Sequence, residues 1–268
     1  MDDVNQLIKV GYKYGMKSVT ITGGGEPLMH HNINEMIKLF NSRNIEVGLV
    51  TNGSLIERLS TLENITWIRI SSTDYLKEQF KSIGTTLNNF LHRLDNVVEN
   101  NKNVDWSFSH VLGKEPDFHL IRKLLDFANE HNFTHMRIVN DIFIADQLTD
   151  EMNRIINYHR NLKIDDSIVN YQDRSEWTKG YNPCYLSILK PVIGADGYIY
   201  PCCGTQYALK EPSRDYEELM RMGHINNLED VLSNQWFFDG SICYKCYYGN
   251  YNRVLKVLMK GLKHKEFV

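Results

Sequence analysis

Apolar and polar positions switch between two periods along the first two thirds of the chain. Residues 3–14 space Val4, Leu7, Ile8 and Gly11 as one helical face, with Gly15 as its stop. At 18–22 the period drops to two. Val19 and Ile21 alternate with Ser18, Thr20 and Thr22, which predicts a short strand rich in β-branched residues. A helix over 32–42 carries Ile33, Met36, Ile37, Leu39 and Phe40, with Asn32 as prospective cap. A strand at 45–51 follows, closed by Asn52-Gly53. A helix over 55–62 leads to a strand at 66–72, and helical patterns at 74–82 and 86–100 precede a strand at 104–112. The last pair is a helix over 117–131 and a strand at 134–139. Five strands separated by helices predict βαβ crossovers and a parallel sheet, either open or curled toward a barrel.

Beyond Gly180-Tyr-Asn-Pro183 the pattern changes, so the expected organisation is 1–180 and 181–268. Pro191 to Cys203 reads as a β-hairpin around Asp196-Gly197. A helix near 227–235 and a basic amphipathic helix over 251–263 complete a small α+β region.

Composition narrows the class. With 42% hydrophobic and 24% charged residues the chain has ample material for a core. A net charge of −3 gives no global signal for nucleic acid. No apolar run approaches the roughly 20 residues of a membrane span. The start, Met-Asp-Asp-Val-Asn, lacks a secretory pattern, so a cytoplasmic protein without a membrane partner is expected. Residues 1–183 contain no cysteine, and Cys184, Cys202, Cys203, Cys243 and Cys246 all follow. In such a chain this clustering argues for metal ligands over disulfides.

Two groups of residues carry candidate chemistry. Gly23-Gly-Gly-Glu-Pro27 follows the first strand directly. Glycines there let backbone approach a ligand, and Glu26 adds an anionic acceptor suited to an ammonium or a hydroxyl pair. Thr51, Asn52, Ser71, Ser72, Asp74, His110 and Asn140 recur late in successive strands, the end at which parallel α/β folds bind ligands. The second group is the cysteine spacing C-x12-G-x4-C, a long gap, then C-x2-C. Four thiolates in two pairs suit a tetrahedral zinc or a cubane iron–sulfur cluster, and spacing does not separate the two. Cys203 is the expected spare, because its side chain should face away from that of Cys202 along a strand.

Together, the glycine motif after a strand, Thr51-Asn-Gly53 after the next and the distant cysteine pattern resemble the radical S-adenosylmethionine superfamily. More narrowly they resemble members with a C-terminal SPASM or twitch auxiliary-cluster domain. The resemblance spans nearly the whole chain. It implies an incomplete (β/α)6 partial barrel with a small twitch-like domain. It also implies S-adenosyl-L-methionine held by Gly23, Gly24, Gly25 and Glu26 at its amino group. Asn52, Ser71 and Asp74 match the region that touches ribose and carboxylate. Cys184, Cys202, Cys243 and Cys246 match the ligands of one auxiliary [4Fe–4S] cluster. With no cysteine after Cys246, the single-cluster twitch form fits better than a full SPASM domain. The implied reaction is hydrogen abstraction from a peptide or small-molecule substrate, with a reducing donor such as flavodoxin or ferredoxin.

One departure qualifies this. The C-x3-C-x2-C that binds the catalytic cluster in the family is absent from these 268 residues, together with the first strand and its loop. The expectation is therefore a fragment whose missing strand is encoded upstream, inactive alone, with a degenerate non-catalytic member as the alternative. The rival from another class is a four-cysteine zinc-binding interaction module on an α/β scaffold. Its contact surface would be Lys256, Lys260, Lys263, His264 and Lys265. Tyr185, Tyr198, Tyr200, Tyr247 and Tyr248 surround the cysteines, where packing is the expected role and a substrate face the alternative.

Overall fold

The structure, a computed structural model, describes residues 1–75, 85–209, 216–233 and 237–259. The chain divides into two compact units, Gly15–Ser175 and the combination of Asp2–Tyr14 with Glu176–Val268.

In chain order the first helix, α1 (Asp2–Lys13), belongs to the second unit. The first unit then runs β1 (Ser18–Ile21), α2 (Ile33–Asn41), β2 (Glu46–Thr51), β3 (Trp67–Thr73), α3 (Leu87–Glu99), β4 (Asp105–Leu112), α4 (Phe118–Glu130), β5 (His135–Asn140), α5 (Thr149–Asn161) and β6 (Val169–Gln172). All six strands form one sheet in sequential order, each pair parallel, with β1 and β6 at its edges.

One face of the sheet is apolar. Ile68 and Ile70 of β3, Phe108 of β4 and Met136 and Ile138 of β5 are buried with Leu120, Ile121, Leu124 and Leu125 of α4. Each such side chain contributes roughly 1.5–3 kcal/mol by leaving water. The helices start where side chains satisfy their free N–H groups. Asn89 N donates to Thr86 Oγ1 (3.2 Å) ahead of α3, and Leu120 N donates to Asp117 Oδ1 (2.9 Å) ahead of α4. Asn32 precedes α2 as expected but makes no capping bond through its side chain.

Three expectations change. The sheet has six strands, not five. β6 has only four residues in a half-exposed alternation, which leaves little periodic signal. α5 was not expected because its buried stripe of Met152, Ile155 and His159 includes a histidine. The expected helix over 55–62 is a single 3-10 turn at Ile56–Arg58. The expected helix over 74–82 falls largely on 76–84, outside the described residues.

The second unit contains α6 (Leu186–Leu189), the hairpin β7 (Val192–Ile193) and β8 (Tyr198–Tyr200), α7 (Tyr216–Met220), β9 (Gly223–His224), α8 (Leu228–Ser233) and α9 (Gly249–Met259). β8 pairs antiparallel with both β7 and β9. The expected division placed residues 2–14 with the parallel sheet. Instead Val10 of α1 joins Ile199, Ile225 and Leu228 in one buried cluster, with Leu7, Ile193 and Met222 packed on it. Lys13 and Glu229 add an exposed ion pair between α1 and α8. Of the basic residues assigned to a terminal contact surface, Lys256 lies on α9, while Lys260, Lys263, His264 and Lys265 lie outside the described residues. Among the described residues no helix is long and apolar enough to cross a membrane.

Candidate functional site

The glycine loop and the Asn52 turn meet through Glu26. Its Oε1 accepts from Leu28 N (3.0 Å) and from Thr51 Oγ1 (2.6 Å), and its Oε2 accepts from Asn52 N (2.8 Å). Thr51 Oγ1 in turn accepts from Gly53 N at 3.0 Å, and Asn52 Oδ1 accepts from Ser54 N at 2.8 Å. The carboxylate thus caps the short 3-10 turn Pro27–Met29 and ties the end of β1 to the end of β2. Gly23 stands at φ +69, and a Cβ there would lie 2.9 Å from Gly25 O, so the turn requires glycine. Gly24 and Gly25 have open space where a side chain would be. Gly23, Gly24, Gly25 and Asn52 are exposed, with Glu26 partly buried behind them. The arrangement presents bare backbone at the carboxyl end of a parallel strand, backed by a negative charge, and can accept hydrogen bonds from an ammonium group.

Asp74 and Ser71 are the other two expected cofactor residues. Asp74 is almost fully buried, its side chain 4% exposed beside a His110 side chain that is 0% exposed. Asp74 Oδ1 meets His110 Nε2 at 3.0 Å and accepts from Asp117 N at 3.0 Å, while Oδ2 accepts from Gly113 N at 2.6 Å. His110 Nδ1 meets Ser72 Oγ at 3.0 Å. Burial acts to raise the Asp74 carboxyl, but the His110 hydrogen bond and charge and the two backbone N–H groups outweigh it and hold it below the usual carboxylate range. The Ser72–His110–Asp74 chain has the order of a hydrolase triad, yet Ser72 is 3% exposed and offers no accessible nucleophile. It fastens the ends of β3 and β4. Both Asp74 oxygens thus have protein partners, which makes the residue a buried latch. Ser71, one residue before Ser72, is on the opposite face of the sheet, in register with Ser109 and Arg137.

The second candidate centre lies within the second unit. Cys184, Cys202, Cys243 and Cys246 line one pocket with Gly180, Tyr181, Pro201, Phe238 and Tyr248. Backbone bridges set their positions. Cys184 N donates to Phe238 O (2.9 Å), Gly180 N to Cys243 O (2.8 Å), and Thr178 and Cys246 exchange bonds of 3.1 and 2.8 Å. Fully buried Asn252 of α9 accepts from Leu186 N at 3.2 Å and donates to Cys184 Sγ at 3.7 Å. Cys203 is exposed, outside the pocket lining, with its sulfur 2.9 Å from Tyr248 Oη. Cys202 and Cys203 follow β8 in a turn, so the separation of their side chains comes from that turn and not from strand alternation. Of the five tyrosines around the cysteines, Tyr248 lines the pocket; Tyr185 packs against Phe237, and Tyr200 donates to Asp196.

Burial and the charges of neighbouring cysteines push Cys202 and Cys243 up to about 12, and burial raises Cys246 as well. Thiolates gathered in so dry a place require a cation to hold them ionised. Four such thiols lining one pocket suit a tetrahedral zinc or a cubane iron–sulfur cluster.

The chain has relatives of two kinds. It is 31% identical over 124 residues to GTP 3′,8-cyclase from two strains of Helicobacter pylori, a stretch covering 39% of this chain and 38% of the enzyme. The chain therefore matches well under half the length of these curated relatives. In three dimensions it resembles Streptococcus suis SuiB. The likeness covers 95% of this chain and 66% of SuiB, with a TM-score of 0.56 and 17% identity to the form bound to S-adenosylmethionine. The corresponding values for SuiB bound to its precursor peptide SuiA are 0.59 and 15%. No family model matches the chain. The likeness to SuiB shows the fold.

Proposed function

We propose that this chain functions in a radical S-adenosylmethionine enzyme, with an auxiliary iron–sulfur centre in its second unit. The observation that carries this reading is the pairing of two independent sites in one chain. One is a glycine loop backed by Glu26 at the carboxyl end of β1, and the other is a pocket lined by four cysteines. The fold shared with SuiB, which was captured with S-adenosylmethionine, supports the first assignment.

Each part of the chain has a defined task under this reading. Gly23, Gly24 and Gly25 bring main-chain acceptors to the methionine amino group, and Glu26 sets the shape of that loop through Thr51 and Asn52. Asn52 borders the same surface. Cys184, Cys202, Cys243 and Cys246 hold the auxiliary cluster, and Asn252 orients Cys184. S-adenosylmethionine, when bound and reductively cleaved, supplies a carbon radical that removes a hydrogen atom from substrate, so the protein's work is binding, orientation and exclusion of competing reactions. The capture of SuiB with a precursor peptide supports a peptide as one substrate class. The 268 residues contain no C-x3-C-x2-C, so the reductive step requires a segment that carries it.

Anaerobic purification followed by iron, sulfide and zinc analysis tests the second centre. About four irons with matching sulfide per chain are expected, and stoichiometric zinc would exclude the cluster. Calorimetric titration with S-adenosylhomocysteine tests the first site. Glu26→Ala should weaken binding at least about tenfold, because the loop loses three hydrogen bonds that define it. Absence of binding to the parent chain would remove the cofactor assignment.

A further inference from the structure

The apolar face of the first unit's sheet is covered by helices, and its other face is polar. Strand register places Arg69 of β3, Ser107 of β4 and His135 of β5 in one row across that face. Ser71, Ser109, Arg137 and Asn170 form the next row toward the carboxyl ends. Paired residues of parallel strands point to the same side, so these rows share one surface. Arg137 Nε and Nη2 both donate to Ser109 Oγ, at 3.1 and 2.8 Å. Arg69 has its guanidinium carbon 5.6 Å from the Trp67 ring, one row below.

Above its amino-terminal edge the charge on this face has one sign. Its acidic strand residues, Glu46 and Asp105, occupy the amino-terminal ends of β2 and β4, and from the Arg69 row upward the strand residues of this face contain no carboxylate. The field is felt locally, since burial and then the charges of Arg69 and Arg137 hold His135 below the ordinary histidine range. Arg69 and Arg137 are separated by one intervening strand, about 10 Å across the sheet, and by one row along it. Two long guanidinium side chains at that separation can converge on a single oxyanion. Ser107 and Ser109, 3% and 4% exposed, lie between them as support, Ser107 Oγ donating to Ile68 O at 3.4 Å and Ser109 Oγ holding Arg137.

We propose that Arg69 and Arg137, with Ser107 and Ser109 between them, form a binding site for an anionic group of the substrate, a phosphate or a carboxylate. The inference rests on the proposed reading of this fold as an enzyme whose cofactor lies at the carboxyl ends of the strands. It adds the substrate class. A substrate anchored through its anion in the middle rows would extend its remaining groups toward the glycine loop.

The test is titration of the full chain with inorganic pyrophosphate and, separately, with tricarballylate at constant ionic strength. The same proteins are titrated with S-adenosylhomocysteine. Saturable binding of either anion is expected, and the tighter of the two identifies phosphate or carboxylate as the natural group. Arg69→Gln and Arg137→Gln should each weaken it at least about tenfold, as a lost charged bidentate contact does. Arg137→Lys, which keeps the charge without the fork, should give an intermediate loss and serves if the glutamine variants fold poorly. Lys38→Gln on the exposed face of α2 should bind as the parent does. S-adenosylhomocysteine affinity should be the same in all variants. No anion binding by the parent, or equal binding by the arginine variants, would overturn the proposal. So would arginine variants that lose S-adenosylhomocysteine and keep the anion, because the guanidiniums would then serve the cofactor. Loss of anion binding in the arginine variants upholds this site even if the parent fails to bind S-adenosylhomocysteine, a result that would count only against the cofactor assignment.

Discussion

Replacing Asp74 by asparagine exchanges one buried carboxylate oxygen for an amide NH2 and changes the shape hardly at all. If Oδ1 keeps its place between His110 Nε2 and Asp117 N, the new NH2 faces Gly113 N, which now donates to Oδ2 at 2.6 Å. Two donors then confront each other in a site 4% exposed. Turning the amide over only moves the loss to His110 and Asp117. An unsatisfied buried N–H costs about 1–3 kcal/mol, and the hydrogen bonds that remain lose their charge assistance, so the expected destabilisation is about 3 kcal/mol. With an m-value of about 2 kcal/mol/M, the urea midpoint of the first unit should fall by about 1.5 M. The parent's Asp74 has a lowered pKa in the folded state, so its contribution is complete above the unfolded value near 3.9 and is lost as pH falls through the folded value. The gap between parent and variant should therefore narrow only in that acidic range. Urea unfolding followed by circular dichroism at pH 7 and pH 3 reads both effects, and titration of the folded protein with S-adenosylhomocysteine should show affinity within about twofold of the parent. A variant within about 0.5 kcal/mol of the parent that binds the cofactor analogue poorly would refute the latch and restore Asp74 as a ligand contact.

Two further outcomes are expected. Asn252→Leu leaves Leu186 N without its acceptor and removes the donor to Cys184 Sγ, so the second unit should lose about 2 kcal/mol by urea unfolding and release iron faster to a chelator; unchanged iron release would exclude a role at the centre. His159 is 1% exposed and held below its ordinary pKa by burial, its Nδ1 2.6 Å from Tyr171 Oη, so the folded state resists its protonation. Its contribution is complete above the unfolded value of about 6.5 and is lost as pH falls through that value toward the lowered folded one, at up to about 1.4 kcal/mol per pH unit. Urea midpoints at pH 7.5 and 5.5 should diverge less in His159→Gln than in the parent, and equal divergence would show that His159 does not carry the effect.

The alternation of strands and helices, the glycine turn and the paired cysteines are local patterns, and the sequence by itself determined them. A β-branched run followed by Gly23, whose φ is +69, has few other conformations open to it. Thiols at 184, 202, 243 and 246 announce a shared centre by their spacing alone. What the tertiary structure decided depends on partners distant in sequence. The amphipathic face of α1 marks a helix that must bury Leu7 and Val10, and nothing local says that Ile199, Ile225 and Leu228 will cover it. Asp74 looked like a free carboxylate after a strand until His110, Gly113 and Asp117, 36 to 43 residues away, occupied its oxygens. Arg69 and Arg137 each read in sequence as an ordinary charge within its own strand. Only register places them on one face, since a one-residue slip in either strand would turn its arginine to the opposite side.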